Sequence, residues 1–149
     1  MVIQVDSREK RHIIRPIIEA FENSDVDYFI SKLPVGDYMS IDNPKLVVDR
    51  KQNLAEIAKN FTEKRFIDEM IRAKKYGIKI IFLVEHGGQI KSITDVEAWK
   101  NPRLATSPMA LSGPRIFRKM LAFQNYYGVE FAFCSKEETG VRIIELLRG

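Results

Sequence analysis

The stretch IKIIFLVE, residues 78–85, constrains the fold more than any other part of the sequence, because it is a continuous apolar run. A run of this length predicts a β-strand with both faces buried, rather than a strand with one face in water. Such a strand lies inside a sheet that has helices on both sides. The run therefore predicts a central sheet in which at least some of the strands are parallel.

Strand and helix patterns alternate along the rest of the chain. Five further strands are predicted at 2–6, 26–33, 36–41, 45–51 and 129–134, of which the third and fourth form a hairpin at Asn43-Pro44. Helices are predicted at 12–22, 53–77, 107–128 and 135–148. The second is interrupted near Thr62, and the third begins at Ser107 with Gly113-Pro114 as a potential break. The pattern indicates one α/β domain, residues 1–149, with a mixed sheet.

The charge of the chain favours nucleic acid as a partner only weakly. The formal net charge is +4, from 24 basic and 20 acidic residues. Basic residues cluster at 8–15, 72–75 and 115–119, although each cluster is also compatible with the solvated face of a helix.

The sequence favours an intracellular protein with no membrane segment. No apolar run approaches the roughly 20 residues that cross a bilayer, and the first ten residues have their charges after the apolar stretch, the reverse of a secretory signal. The single cysteine, Cys134, is expected to be a buried hydrophobe in a reducing compartment. The expected location is the cytoplasm or nucleoid, or the nucleus in a eukaryote.

The strand VVDRK, residues 47–51, ends in three consecutive charges. Asp49 and Lys51 are two residues apart, so they lie on the same face of the strand and Arg50 lies on the other. A hairpin that turns at Asn43 pairs residues whose numbers add to 86, which sets Asp37 opposite Asp49. Directly opposed residues have Cβ atoms about 4.5–5.5 Å apart, where two carboxylates repel unless a cation lies between them.

This pair of carboxylates predicts a site for Mg²⁺ or Mn²⁺, which prefer oxygen ligands. Lys51 beside such a site can hold a phosphate oxygen, orient an attacking water or stabilise charge in phosphodiester hydrolysis. An exposed hairpin end with incidental charges is the alternative that spacing alone leaves open.

Four ordered motifs resemble the nuclease domain of the XPF family of structure-specific endonucleases, within the PD-(D/E)XK superfamily. They are VDSRE at 5–9, LPVGDY at 33–38, VVDRK at 47–51 and KRF at 64–66. The family hallmark is GD, a variable gap, ERK, three residues and an Asp. The resemblance extends through the strand-helix-strand-helix that closes the chain, and it implies a restriction-endonuclease-like mixed sheet flanked by helices, with the metal site on the early hairpin.

The hallmark implies roles for particular side chains. Asp37, Asp49 and Lys51 would be catalytic, with Asp37 and Asp49 as metal ligands. Two positions depart from the hallmark: Asp49 replaces the family glutamate, and Ala55 occupies the position of the last Asp, so the affinity for a metal or the occupancy of a second metal is in question. Asp6 is a candidate for a compensating carboxylate.

Three arginines are predicted to bind DNA phosphate: Arg8, Arg50 and Arg65. Internal ion pairs are an equal alternative for Arg8 and Arg65, which match family positions.

The resemblance implies a metal-dependent endonuclease that acts on branched, flap or fork-type DNA in repair or recombination. A DNA-binding or scaffold subunit with little catalysis is the alternative, and Ala55 is the residue that favours it. Many family members have a helix-hairpin-helix domain after the nuclease domain, whereas this chain ends at Gly149, so the nuclease domain or a partner chain would recognise the DNA structure. The resemblance also implies a homodimer or heterodimer through the C-terminal region, where nuclease domains of the family commonly pair. VRIIELL agrees with this, because it has apolar residues around more than half of the helix. Cover by the preceding long helix within the same chain is the alternative.

Overall fold

The computed structural model describes all 149 residues, and its six strands form one mixed sheet. The strands are β1 (Val2–Val5), β2 (Asp27–Ile30), β3 (Tyr38–Ser40), β4 (Leu46–Lys51), β5 (Lys79–Glu85) and β6 (Glu130–Cys134). Their order across the sheet is β2-β1-β3-β4-β5-β6. The α/β class with a mixed central sheet is confirmed.

One strand runs against all the others. β3 pairs antiparallel with β1 and with β4, whereas the pairs β1–β2, β4–β5 and β5–β6 are parallel. The carboxyl ends of β1, β4 and β5 therefore lie at the same edge of the sheet as the start of β3. In sheets of this kind, ligands bind at the carboxyl edge of the parallel strands.

Strand β5, which lies between β4 and the edge strand β6, is buried on both faces, as the apolar run predicts. Ile80, Phe82 and Val84 belong to one hydrophobic cluster, and Ile81 and Leu83 belong to the other. Alternate residues of a strand point to opposite faces, so β5 contributes to both cores of the protein.

Two layers of helices cover the sheet. The helices are α1 (Arg11–Asn23), α2 (Leu54–Asn60), α3 (Lys64–Lys75), α4 (Ile93–Val96), α5 (Gly113–Tyr127) and α6 (Thr139–Arg148). Helices α2, α3 and α5 cover one face around the packed rings of Phe61, Phe66 and Phe131, and α1 and α6 cover the other. Short 3₁₀ segments occupy Pro102–Ala105 and Lys136–Glu138. None of these helices has the length and apolar content needed to cross a membrane.

Helix α5 begins later than the sequence predicts. It starts at Gly113 rather than near Ser107, and the Ser112 side chain accepts a hydrogen bond from the backbone N–H of Arg115. Pro114 fits the first turn of α5. A start near Ser107 would place it inside the helix, where its ring crowds the carbonyl four residues earlier, so the later start is favoured. A Cβ at Gly113 would lie 2.3 Å from the carbonyl oxygen of Trp99, which explains the glycine at this close approach.

The C-terminal helix α6 packs against α1 inside the same chain. A Cβ on Gly140 would lie 2.5 Å from the Cβ of Ala20, so the two helices approach closely. Ile143, Ile144 and Leu147 are buried. Most of the apolar surface that the sequence shows on α6 thus has an intramolecular partner, and Val141 is its only exposed apolar residue (49%). A single exposed valine gives no independent support for a dimer.

Candidate active site

Most of the residues that the sequence predicts for the site meet at the carboxyl edge of the sheet. Asp6 follows β1, Asp37 precedes β3, and Asp49 and Lys51 end β4. They line a cleft of about 570 Å³ whose walls are almost wholly polar. The cleft has seven acidic and five basic side chains, namely Asp6, Glu9, Asp37, Asp49, Glu56, Asp68, Glu69, Arg8, Arg50, Lys51, Arg65 and Arg72. A basic protein therefore concentrates acidic groups at this one place, as a cation site requires.

The hairpin register agrees with the prediction. Tyr38 pairs with Val48 and Met39 pairs with Val47, so the paired numbers add to 86. One step further, the backbone N–H of Asp37 donates to the carbonyl of Val48 (2.9 Å), which places Asp37 beside the end of β4.

Gly36 allows the chain to enter the hairpin at this point. Its φ is +76°, and a Cβ there would lie 2.8 Å from Val47 Cβ, so a side chain would be excluded by both conformation and space. In the Gly36-Asp37 pair, the glycine thus allows the backbone conformation that the turn requires, and the aspartate that follows it provides the functional side chain.

The Asp37 carboxylate lies in an unfavourable electrostatic environment. Burial raises its pKa well above the usual range, and the charges of Asp49 and Glu9 raise it further. The backbone N–H of Arg50 donates to Oδ2 (2.8 Å) and opposes the shift, as does the charge of Lys51. The net result is a carboxylate whose ionised form an added cation would stabilise.

Lys51 lies next to Asp49, with 3.3 Å between Nζ and Oδ1. Its ammonium also lies 5.5 Å from the centre of the Phe66 ring. Burial lowers the pKa of Lys51, but Asp49, Asp37 and Glu69 raise it by more, so the amine keeps its charge. The sequence prediction that Asp49 and Lys51 share one face agrees with this contact.

Asp6 already has partners for both carboxylate oxygens. Oδ2 accepts from Arg8 Nε (2.7 Å), and Oδ1 accepts from the backbone N–H of Leu33 (2.7 Å). Asp6 is buried and Arg8 is largely exposed. These bonds anchor the loop before the hairpin, and a role for Asp6 as a metal ligand stays a prediction.

Arg50 alternates with Asp49 and Lys51 along β4 and turns its side chain to the other face of the strand, where it forms a buried ion triad at the border of the cleft. Its guanidinium contacts Glu9 (3.0 Å) and Glu85 (2.7 Å), and all three side chains are less than a tenth exposed. Phosphate binding by Arg50 would require it to leave these carboxylates. In contrast, the Arg65 side chain is 81% exposed and pairs only with Glu63, so it is accessible to a ligand.

Glu69 is a residue of this cleft that the sequence patterns did not single out. It lies on α3, three residues after the buried Phe66, on the flank of the helix that borders the hairpin. Burial raises the pKa of its carboxyl group to about 7, and the charge of Asp49 contributes to this rise. Its spacing from Phe66 is the only signal in the sequence, and it places Glu69 beside the sheet without indicating which strand it meets.

The residues of the cleft fit a divalent ion by their chemistry. Asp37, Asp49 and Glu69 provide carboxylate oxygens, the ligands that Mg²⁺ and Mn²⁺ prefer. The raised pKa of Asp37 has repulsion between carboxylates as one of its causes, and a cation would relieve that repulsion. As the side chains stand, no three potential ligands surround a common point, so binding would involve rotation of at least one of them.

We expect Asp37→Asn to stabilise the protein when divalent ions are absent. A carboxylate whose pKa is raised in the folded state contributes most to the stability of the fold when the pH is below its unfolded-state pKa, about 3.9. This contribution is lost as the pH rises through the folded-state pKa, because the buried group then ionises. Asparagine has no charge to bury, and it still accepts from the N–H of Arg50. Thermal unfolding in EDTA should show a melting temperature that exceeds that of the wild type by a margin that grows between pH 5 and pH 8.

Asp42→Asn is the control, because Asp42 is exposed in the turn of the same hairpin. It should show no such trend. A lower melting temperature for Asp37→Asn at pH 8 would mean that a favourable ion pair holds Asp37.

Comparison with known proteins gives one family and one fold. The sequence matches the family model of the ERCC4 domain over residues 5–147. The structure is similar to XPF from Aeropyrum pernix, with a TM-score of 0.72 and 22% identity over 99% of this chain and 64% of that one. A second structure of that protein, in complex with DNA, gives a TM-score of 0.67 and 22% identity, with 99% and 63% of the two chains covered. The chain thus spans a little under two thirds of the relative's length, and no curated protein sequence matches it.

Proposed function

Because this chain belongs to the ERCC4 domain family, a family of DNA nucleases, we propose that it is a divalent-metal-dependent endonuclease. Its substrates are branched, flap or fork-type duplex DNA, and it acts in repair or recombination. The observation that supports this best is the grouping of Asp37, Asp49 and Lys51 in one polar cleft at the end of the hairpin. The cleft has an acidic residue at two of the three acidic positions of the hallmark, Asp37 and Asp49, together with the hallmark lysine.

Each of the three residues has a distinct task in the proposed reaction. Asp37 and Asp49 hold Mg²⁺ or Mn²⁺, which when bound supplies Lewis-acid activation of the phosphate and of the attacking water. Lys51 positions a phosphate oxygen and stabilises the charge that develops as the phosphodiester bond breaks. Its ammonium is fixed by Asp49 on one side and by Phe66 on the other, so it is oriented before the substrate arrives.

The DNA backbone would contact basic side chains around the acidic cleft. Arg8 and Arg65 line it, with side chains that are 61% and 81% exposed. Helix α3 begins at Lys64, and Arg65 and Phe66 of its first turn line the cleft. The complex of Aeropyrum pernix XPF with DNA supports a role for this fold in DNA binding. Phosphate contacts by Arg8 and Arg65 are part of the proposal, whereas Arg50 supports β4 from the opposite side.

A catalytically weak DNA-binding or scaffold subunit is the second candidate. Ala55 favours it, because a methyl group at the last hallmark position cannot ligate a metal. Without that ligand, the site could bind a divalent ion too weakly for catalysis.

A panel of labelled DNAs separates the two candidates. Single-stranded, duplex, 3′-flap and forked DNAs are incubated with the protein in Mg²⁺, in Mn²⁺ or in EDTA. We expect cleavage of the flap and the fork in the presence of either metal, and none in EDTA. Binding of the same DNAs without cleavage under any condition would support the scaffold, and cleavage in EDTA would contradict the metal site.

We also expect a homodimer, or a heterodimer with a related chain, on the basis of the family resemblance alone. Light scattering at micromolar concentration should give about twice the chain mass of 17.3 kDa if two copies pair. A mass near that of one chain, unchanged as the concentration rises, would contradict the homodimer.

A further inference from the structure

Glu69 is an acidic group beside Asp49 that the hallmark does not assign. It lines the same cleft as Asp49, and its charge interacts with those of Asp49 and Lys51. Asp37 lines this cleft as well, so Glu69 borders both proposed metal ligands. It is half-buried on the wall of the cleft and has no basic partner of its own within ion-pair distance.

The site lacks a third carboxylate from the positions where the sequence predicts one. Ala55, in the first turn of α2, has no ligating group. Both oxygens of Asp6 are engaged by Arg8 and the backbone N–H of Leu33. The affinity of a site for hard cations depends on the number of charged oxygen ligands, so two carboxylates with a neighbouring lysine make a weak site.

We propose that Glu69 provides the third carboxylate to the divalent ion, in place of the one that position 55 lacks. This inference rests on the proposed metal-dependent function. The three side-chain torsions of a glutamate let its carboxyl group turn from Asp49 towards a shared cation while the backbone of α3 stays fixed. Helix α3 is held against the sheet by Phe66, Met70 and Ala73, all of them buried, so the position from which Glu69 reaches the site is rigid.

The number of carboxylates on the cation is tested by calorimetric titration with Mn²⁺, without DNA. The proteins are the wild type, Glu69→Gln, Ala55→Asp and the double variant. Glutamine keeps the size of Glu69 and removes only its charge, so a purely structural role would survive the change. We expect Glu69→Gln to weaken Mn²⁺ binding at least about tenfold, and Ala55→Asp to restore much of the affinity in the double variant.

Two further variants separate the inference from the function on which it rests. Glu22→Gln changes an exposed glutamate on α1, outside the cleft, and should bind Mn²⁺ as the wild type does. Asp49→Asn should lose binding. If the wild type binds, Asp49→Asn does not, and Glu69→Gln binds as the wild type, then the role of Glu69 is refuted while the metal site stands. If Asp49→Asn binds as tightly as the wild type, the proposed metal site itself is refuted.

Discussion

Alanine at Asp49 or Lys51 is expected to reduce divalent-dependent cleavage at least about 100-fold, the usual cost of losing a group that stabilises the transition state. Asp49→Ala removes a ligand, and Lys51→Ala removes the only ammonium in direct contact with that ligand. Asp37→Ala should have a similar effect, because Asp37 lies beside the end of β4, close enough to Asp49 for the two charges to interact. The measurement is the single-turnover rate with enzyme in excess, on the best substrate of the panel.

The controls for these variants test whether the fold is intact. Asp42→Ala changes an exposed acid of the same hairpin and should cleave at the wild-type rate. Circular dichroism should show that each inactive variant retains its helices. Cleavage within a few-fold of the wild type by all three site variants would place the chemistry elsewhere in the protein.

Arg50→Ala is expected to lower the free energy of unfolding by about 3–5 kcal/mol, the usual cost of removing one partner from a buried ion pair. The substitution would leave Glu9 and Glu85 buried without their shared cation. These carboxylates come from the turn after β1 and from the end of β5, so Arg50 connects three segments at the edge of the sheet that forms the site. Urea unfolding at pH 7.5 in EDTA measures the change.

Arg65→Ala is the matched control, since Arg65 is an exposed arginine of the same cleft. The substitution should change the free energy of unfolding by no more than about 0.5 kcal/mol, as most surface substitutions do. The affinity of the variant for DNA should fall. If Arg50→Ala instead left stability unchanged and weakened DNA binding, Arg50 would bind phosphate, as its position in the hallmark suggests.

Local patterns were sufficient to predict the sheet and the core of the site. The apolar run at 78–85 predicted a strand that is buried on both faces, and the two faces of β5 pack into the two hydrophobic clusters. The turn at Asn43-Pro44 set the register that places Asp37 beside the end of β4. Strand periodicity set Asp49 and Lys51 on one face. These features depend on residues that are close in the chain or joined by a short turn, where backbone geometry leaves few alternatives.

Only the tertiary structure decided which distant groups meet. The partners of Arg50 are 41 and 35 residues away along the chain, and no periodicity relates them. Glu69 lies beside Asp49 because α3 packs against the sheet through Phe66, Met70 and Ala73. Helix α6 packs against α1 because Gly140 lets the two helices approach. The sequence by itself determined which side chains a hairpin brings together. Packing between elements far apart in the chain determined which charged side chains form ion pairs and which face the cleft. The reason is that burial and ion pairing depend on how the helices pack against the sheet.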